Sequence, residues 1–153
     1  MDIEEQYDKI YRYCYFKLYD KQLAQDITQE AFLRFYRQGL SFDSGRELPY
    51  LYTIAKNLCI DEFRKQTVDS METPAAEAIY DPSEEWADKL ALRAVISKLP
   101  HDEQELLFLR YANELPLTHI CQITGLSRFA VYRRLSKALK RLKEELKKEG
   151  FLG

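Results

Sequence analysis

Between Gln66 and Glu85 the sequence QTVDSMETPAAEAIYDPSEE carries two prolines, few large apolar residues and no lysine or arginine. On both sides of it apolar residues recur at the three- and four-residue spacing of amphipathic helices; inside it that spacing stops. A chain interrupted in this way cannot close one continuous core. The pattern predicts an all-α protein of two small helical domains, residues 1–66 and 84–153, joined by a flexible linker over 67–83. Strand-like alternation and internal repeats are absent from the sequence.

In the first half, Ile3, Tyr7, Ile10, Cys14 and Leu18 mark one helical stripe, and Ala24, Ile27, Ala31 and Phe35 a second that Gly39 ends. A third helix is expected to carry Pro49 in its first turn and Leu51, Ile54, Ala55 and Leu58 on its inner side. In the second half a helix resumes at Trp86 with Leu92, Val95, Ile96 and Leu99 as its apolar row, and Pro100 stops it. Asp102, three residues before Glu105, is expected to open the next helix as a capping box. A short helix in THICQIT then ends at Gly125, and Ser127 is placed to cap a last helix.

That last helix gathers the charge. The chain has a formal net charge of −2, yet residues 127–153 hold nine lysines and arginines against three glutamates. A local cationic face behind an acidic spacer points to a local anionic partner. LTHICQITGLSRFAVYRRLSKAL has the layout of a helix-turn-helix, with glycine at the turn and a capped second helix. At about 100° per residue, Val131, Leu135, Ala138, Leu139 and Leu142 fall inward. Phe129, Arg133, Ser136, Lys137 and Lys140 fall outward, with Tyr132 on the flank. Such a helix fits the DNA major groove, Arg128, Phe129, Tyr132 and Arg133 near base edges and Arg134, Lys137, Lys140 and Arg141 nearer phosphates. A solvated amphipathic helix is the other reading of the same charge run.

Two further outward faces lie in the first half. Asp26, Gln29, Glu30, Leu33, Arg34 and Arg37 share one side of the second helix, an arrangement suited to docking a protein helix or to plain solvation. Tyr50, Thr53, Asn57, Asp61 and Arg64 share the outer side of the third, where stacking and hydrogen-bonding groups can meet unpaired bases and Lys56 and Lys65 can meet phosphate. A polar helix surface is the alternative there. The loop LSFDSGRELP before it is able to hold a flipped nucleotide.

These stretches resemble a known family. DITQEAFLRFYR is similar to the D-L-V-Q-E-x-F signature of bacterial sigma factors. YLYTIAKNLCIDEFRK resembles the W-L-Y-x-I-A-x-N-x-x-I-D-x-x-R run of their extracytoplasmic-function (ECF) group, and LPHDEQELLFLRYANELPLTHICQITGLSRFAVYRRLSKALKRLKEEL resembles that group's fourth domain. The resemblance implies a monomeric, non-enzymatic initiation subunit that binds bacterial core RNA polymerase and promoter DNA under a cognate anti-sigma factor. It implies core docking by Asp26, Gln29, Glu30, Leu33 and Arg34. It implies recognition and melting of the minus-ten element by Ser41, Phe42, Ser44, Tyr50, Thr53, Lys56, Asn57, Asp61 and Arg64. It implies reading of the minus-thirty-five element by Ser127, Arg128, Phe129, Tyr132, Arg133, Arg134, Ser136, Lys137 and Lys140. No cofactor or metal is implied.

The chain departs from the family pattern at Tyr50, where tryptophan is usual, at Arg128, Phe129 and Ala130 in place of x-G-T, and at Arg133 in place of serine. Those departures fall on the residues expected to read DNA. A stand-alone helix-turn-helix regulator that dimerises or senses a ligand, and a module that only titrates polymerase, are the competing classes. Cys14, Cys59 and Cys121 are far apart without a CxxC spacing, which argues against a disulfide frame or zinc site and for small buried residues. His101 and His119 have no partner pattern and read as surface or capping residues. No nucleophile with a base, paired acid, phosphate loop or metal cluster is present, so no enzyme reading survives. No apolar run approaches the ~20 residues of a membrane span and the first residues do not suit a signal peptide, from which a cytoplasmic location without membrane insertion is expected.

Overall fold

The computed structural model describes residues 3–40, 47–69 and 93–150, with backbone only at 67–69. The described elements are all helical, and the chain divides into two compact units, Met1–Tyr80 and Asp81–Gly153. The fold is therefore all-α and two-bodied, as the interrupted periodicity requires. Most of the expected linker, together with Trp86, Leu92 and the loop holding Ser41, Phe42 and Ser44, lies outside the described residues. No described helix is long and apolar enough to cross a membrane.

The first unit packs three helices pairwise: α1 (Ile3–Leu18), α2 (Lys21–Arg37) and α3 (Glu47–Asp69). Only Tyr19 and Asp20 separate α1 from α2. Tyr19 takes a φ of 56° and donates its N–H to the Tyr15 carbonyl at 2.8 Å. Asp20 then caps α2 by accepting the Leu23 N–H at 3.1 Å. Gly39, at φ 75°, closes the other end of α2 as its position in the sequence predicts, because that conformation crowds a Cβ.

The core of this unit differs from the expected stripes in its flanks. Ile10, Cys14 and Leu18 are buried, but Ile3 is exposed at the helix start, and Tyr13, fully buried, joins the row. On α3 the buried row is Leu48, Leu51, Tyr52, Ile54, Ala55 and Cys59, with Leu58 only half-buried. Tyr13 meets Tyr52 edge-on, ring centroids 5.5 Å apart, a contact worth about 0.5–1.5 kcal/mol beyond area burial. Periodicity marks a stripe's centre; which flank is covered depends on the angle at which the neighbour crosses. Cys14 and Cys59 are buried as expected, while Cys121 is half-buried. A hydrogen bond with Cys59 holds the Cys14 thiol below its ordinary pKa, burial opposing and Thr28 assisting.

In the second unit a helical turn over 93–96 leads to Leu99. There follow α4 (His101–Leu107), a π-helical turn Phe108–Ala112, α5 (Leu117–Thr124) and α6 (Arg128–Lys148). The expected capping box does not form: Pro100 holds the cap position, and Asp102, inside the helix, accepts the N–H of Glu103 at 3.0 Å. Gln104 Nε2 instead reaches back to the Leu99 carbonyl at 2.8 Å. The π turn, which helical spacing did not reveal, closes when the Asn113 N–H donates to the Phe108 carbonyl at 3.0 Å. Val95, Leu99, Leu106, Leu109, Leu115, Ile120, Ile123, Val131, Leu135 and Ala138 form the core.

Candidate nucleic-acid and polymerase interfaces

The helix-turn-helix is built as its sequence demands. α5 buries Ile120 and Ile123, and Gly125 follows at φ 76°, its N–H donating to the Cys121 carbonyl at 2.9 Å. Ser127 then starts α6, its Oγ accepting the Ala130 N–H at 3.1 Å. One turn of chain thus redirects the backbone, and the cap fixes where the next helix begins. α6 packs on α4 and α5 through Val131, Leu135 and Ala138.

Past Ala138 the inward row fails. Leu139 is 39% exposed, and Leu142 and Leu146 are half-buried, on a helix of 21 residues about 31 Å long. Its far end also carries an ion pair. Lys98, just before α4, pairs with Glu149 and lies 3.9 Å from Glu145. That contact raises the Lys98 pKa through hydrogen bonding to Glu149 and lowers the Glu149 pKa through hydrogen bonding to Lys98.

Between residues 128 and 141 the cations of α6 differ in whether a carboxylate of α4 lies near them. Arg128, Arg133, Lys137 and Lys140 are exposed, alongside Ser127, Ser136, Phe129 and Tyr132, the two aromatics being 74% and 66% exposed. Arg134 lies 3.5 Å from Asp102, and Arg141 lies 3.6 Å from Glu103, whose side chain is only 9% exposed. These two arginines lean on α4, a use that sequence spacing within α6 cannot reveal. Arg141 in particular is half-buried, its Nε turned toward the Glu103 carboxylate on α4.

On α3, Tyr50, Asn57, Asp61 and Arg64 are exposed, while Thr53 and Lys56 are half-buried. Thr53 Oγ1 donates to the Pro49 carbonyl at 3.0 Å, which leaves its lone pairs as the groups on offer. Ile60, 37% exposed, adds apolar surface to this side that the sequence reading passed over, while Phe63, 47% exposed, falls at helical spacing near the arc of the buried Tyr52. Ile60 falls on the arc of Thr53 and Arg64 at helical spacing, so its place was legible.

On α2, Asp26, Gln29, Leu33, Arg34 and Arg37 are exposed and Glu30 is half-buried. Gln22 Nε2 donates to Asp26 Oδ1 at 3.0 Å, and Arg34 Nε to Glu30 Oε2 at 2.9 Å. Exposed pairs one turn apart are worth only about 0.3–0.5 kcal/mol, so a partner can replace them at little cost. Leu33 is 51% exposed, and Tyr36, which the sequence reading omitted, extends the apolar part at 45%.

Comparison with known proteins agrees with this layout. The Sigma-70 region 2 family model matches residues 3–68 and the Sigma-70 region 4 model residues 89–142. The chain is 33% identical to the ECF RNA polymerase sigma factor SigW of Bacillus subtilis, over 92% of this chain and 84% of that protein. It is 31% identical to SigM of the same organism, over 94% of each. Among solved structures, the sigma factor RpoE from Bartonella quintana, crystallised with the anti-sigma factor NepR, superposes with a TM-score of 0.71 at 19% identity, covering 93% of this chain and 92% of that one.

Proposed function

The chain belongs to the ECF family of RNA polymerase sigma factors, proteins that direct transcription initiation, and on that premise we propose how its surfaces divide the work. The α2 face of Asp26, Gln29, Glu30, Leu33 and Arg34 docks core polymerase. The outer side of α3, with Tyr50, Thr53, Lys56, Asn57, Asp61 and Arg64, together with Ser41, Phe42 and Ser44, engages the minus-ten element and holds separated bases. The outward half of α6, with Ser127, Arg128, Phe129, Tyr132, Arg133, Arg134, Ser136, Lys137 and Lys140, reads the minus-thirty-five element as duplex. Residues 1–66 and 84–153 act as the two DNA-binding domains and 67–83 spans between their sites.

The observation that carries this reading is the state of α6: over residues 128–140, directly after a glycine turn and a serine cap, five cations and two aromatics stand exposed. Duplex reading needs donors aimed into the major groove, whereas strand opening needs stacking surfaces. The two units offer one of each. With a net charge of −2 the free chain binds DNA weakly, and polymerase supplies most of the nonspecific attraction. A cognate anti-sigma factor covers these faces in the resting cell, a reading supported by the complex in which the Bartonella quintana relative was crystallised.

Run-off transcription with core polymerase tests the reading. The chain, added as a monomer, yields specific transcripts from opened promoters, and replacing Asp26 and Glu30 by Ala weakens core binding while leaving the fold intact. Binding to duplex operator as a dimer without polymerase, and no initiation with it, would establish a stand-alone regulator instead.

A further inference from the structure

Phe129 is 74% exposed, more than any other large apolar residue described, and it stands one helical turn before Arg133. The Arg133 guanidinium carbon sits 5.6 Å from the centroid of its ring. No described carboxylate pairs with that guanidinium, in contrast to Arg134 and Arg141. The serine cap fixes the start of the helix and the buried Val131 and Leu135 fix its rotation, so ring and cation are presented on one face. Both occupy positions where the chain departs from its family's pattern.

Resting on the reading of α6 as the duplex-contacting helix, we infer that Phe129 and Arg133 form one reading unit that selects a guanine with a thymine within two base pairs of it in the upstream element. A guanidinium that pairs with no described carboxylate keeps its planar fork of N–H groups free, the geometry that guanine O6 and N7 accept. The ring needs an apolar counterpart, and the apolar group on base edges in the major groove is the thymine 5-methyl. Residues one turn apart are separated by about 6 Å along a helix axis, close to two base-pair steps of about 3.4 Å, so the two contacts fall within two base pairs of one another. Phe129 acts twice, covering the methyl and holding Arg133 in place.

Holoenzyme assembled from this chain and core polymerase is used to select duplexes from a random upstream pool, and the selected element is then rebuilt with single replacements. The expected element contains a thymine within two base pairs of a guanine. Replacing that thymine by deoxyuridine, which lacks the methyl, weakens wild-type binding about fourfold, the worth of one buried methyl group, and leaves Phe129→Ala unaffected. Replacing the guanine by 7-deazaguanine weakens wild type on the order of tenfold and leaves Arg133→Ala unaffected. Arg133→Lys keeps the charge without restoring guanine preference, and Phe129→Ala relaxes it as well.

Three results overturn the inference. An enriched element without a thymine within two base pairs of a guanine removes it outright. Arg133→Ala that weakens all duplexes equally while sensitivity to 7-deazaguanine persists assigns Arg133 to phosphate. Full deoxyuridine sensitivity in Phe129→Ala assigns the methyl to another side chain. Failure to enrich any upstream element defeats the function proposed for α6 itself, a separate outcome from these.

Discussion

Replacing Arg141 by Ala removes the counter-charge of Glu103, a carboxylate on α4 whose Oε1 is buried without a hydrogen-bond partner and whose Oε2 lies 3.6 Å from Arg141 Nε. Two unit charges about 4 Å apart attract by about 4 kcal/mol at an effective dielectric of about 20. Arg141 is 42% exposed, however, and the contact is long, so solvent screening takes much of this. Exposed pairs are worth about 0.2–1 kcal/mol, and breaking a buried one costs about 3–5 kcal/mol. A pair with one buried and one half-exposed member falls between, and Arg141→Ala is expected to destabilise the second unit by about 1–2 kcal/mol.

Glu103→Gln isolates the electrostatic part, because the same Arg141→Ala change made beside a neutral amide is a surface truncation costing within about 0.5 kcal/mol. Two bodies on one chain need not unfold together, which makes a single melting point a poor measure. Native-state hydrogen exchange at Leu106 and Leu135, buried on α4 and α6, reports the second unit alone. Equal losses from Arg141→Ala in the wild-type chain and in the Glu103→Gln variant would refute the ion-pair reasoning. Unchanged stability with weaker binding to every duplex would return Arg141 to the phosphate backbone.

Gly125→Ala is expected to cost about 1–2 kcal/mol from left-handed backbone strain alone, since a Cβ there meets nothing within 4 Å; Gly125→Asn should recover most of it, and a larger loss in thermal unfolding of the second unit would expose a clash. The end of α6 should respond to pH on both sides. Glu149 is held below the ordinary carboxylate range by the hydrogen bond from Lys98, and Lys98 above the ordinary amine range by the same bond. The contact is therefore complete at neutral pH, lost as pH falls through the depressed Glu149 value, and lost as it rises through the elevated Lys98 value. Amide protection at the last turns of α6, taken relative to the intrinsic exchange rate at each pH, should fall under acid, and Glu149→Gln should remove that dependence; an unchanged acid response in the variant would mean another group controls the end.

Much of the α-helical plan was legible because it rests on local chemistry. The stop at Gly39, the turn at Gly125 and the cap at Ser127 follow from the backbone preferences of single residues and from side chains reaching three positions along. The outward positions of Asp26, Gln29, Leu33, Asn57, Arg64 and Arg133 follow from helical spacing once the inward row is known. Where two local signals compete, the sequence misleads. Asp102 has the spacing of a capping residue, but the proline before it already sets the helix start, and the carboxylate turns to its neighbour's N–H.

By itself the sequence determined two helical bodies, the helix-turn-helix and the family, because periodicity, glycine at positive φ and motif order are properties of the chain taken a few residues at a time. Only tertiary packing decided that Tyr13 joins the core while Ile3 does not, and that Arg134 and Arg141 lean on α4 while Arg133 stays on a ring at the surface. Those outcomes depend on which helix crosses where and at what angle. A charge or ring on a periodic face has the same pattern in the sequence whether it meets solvent, a carboxylate from another helix or DNA, and the neighbour across the gap settles which.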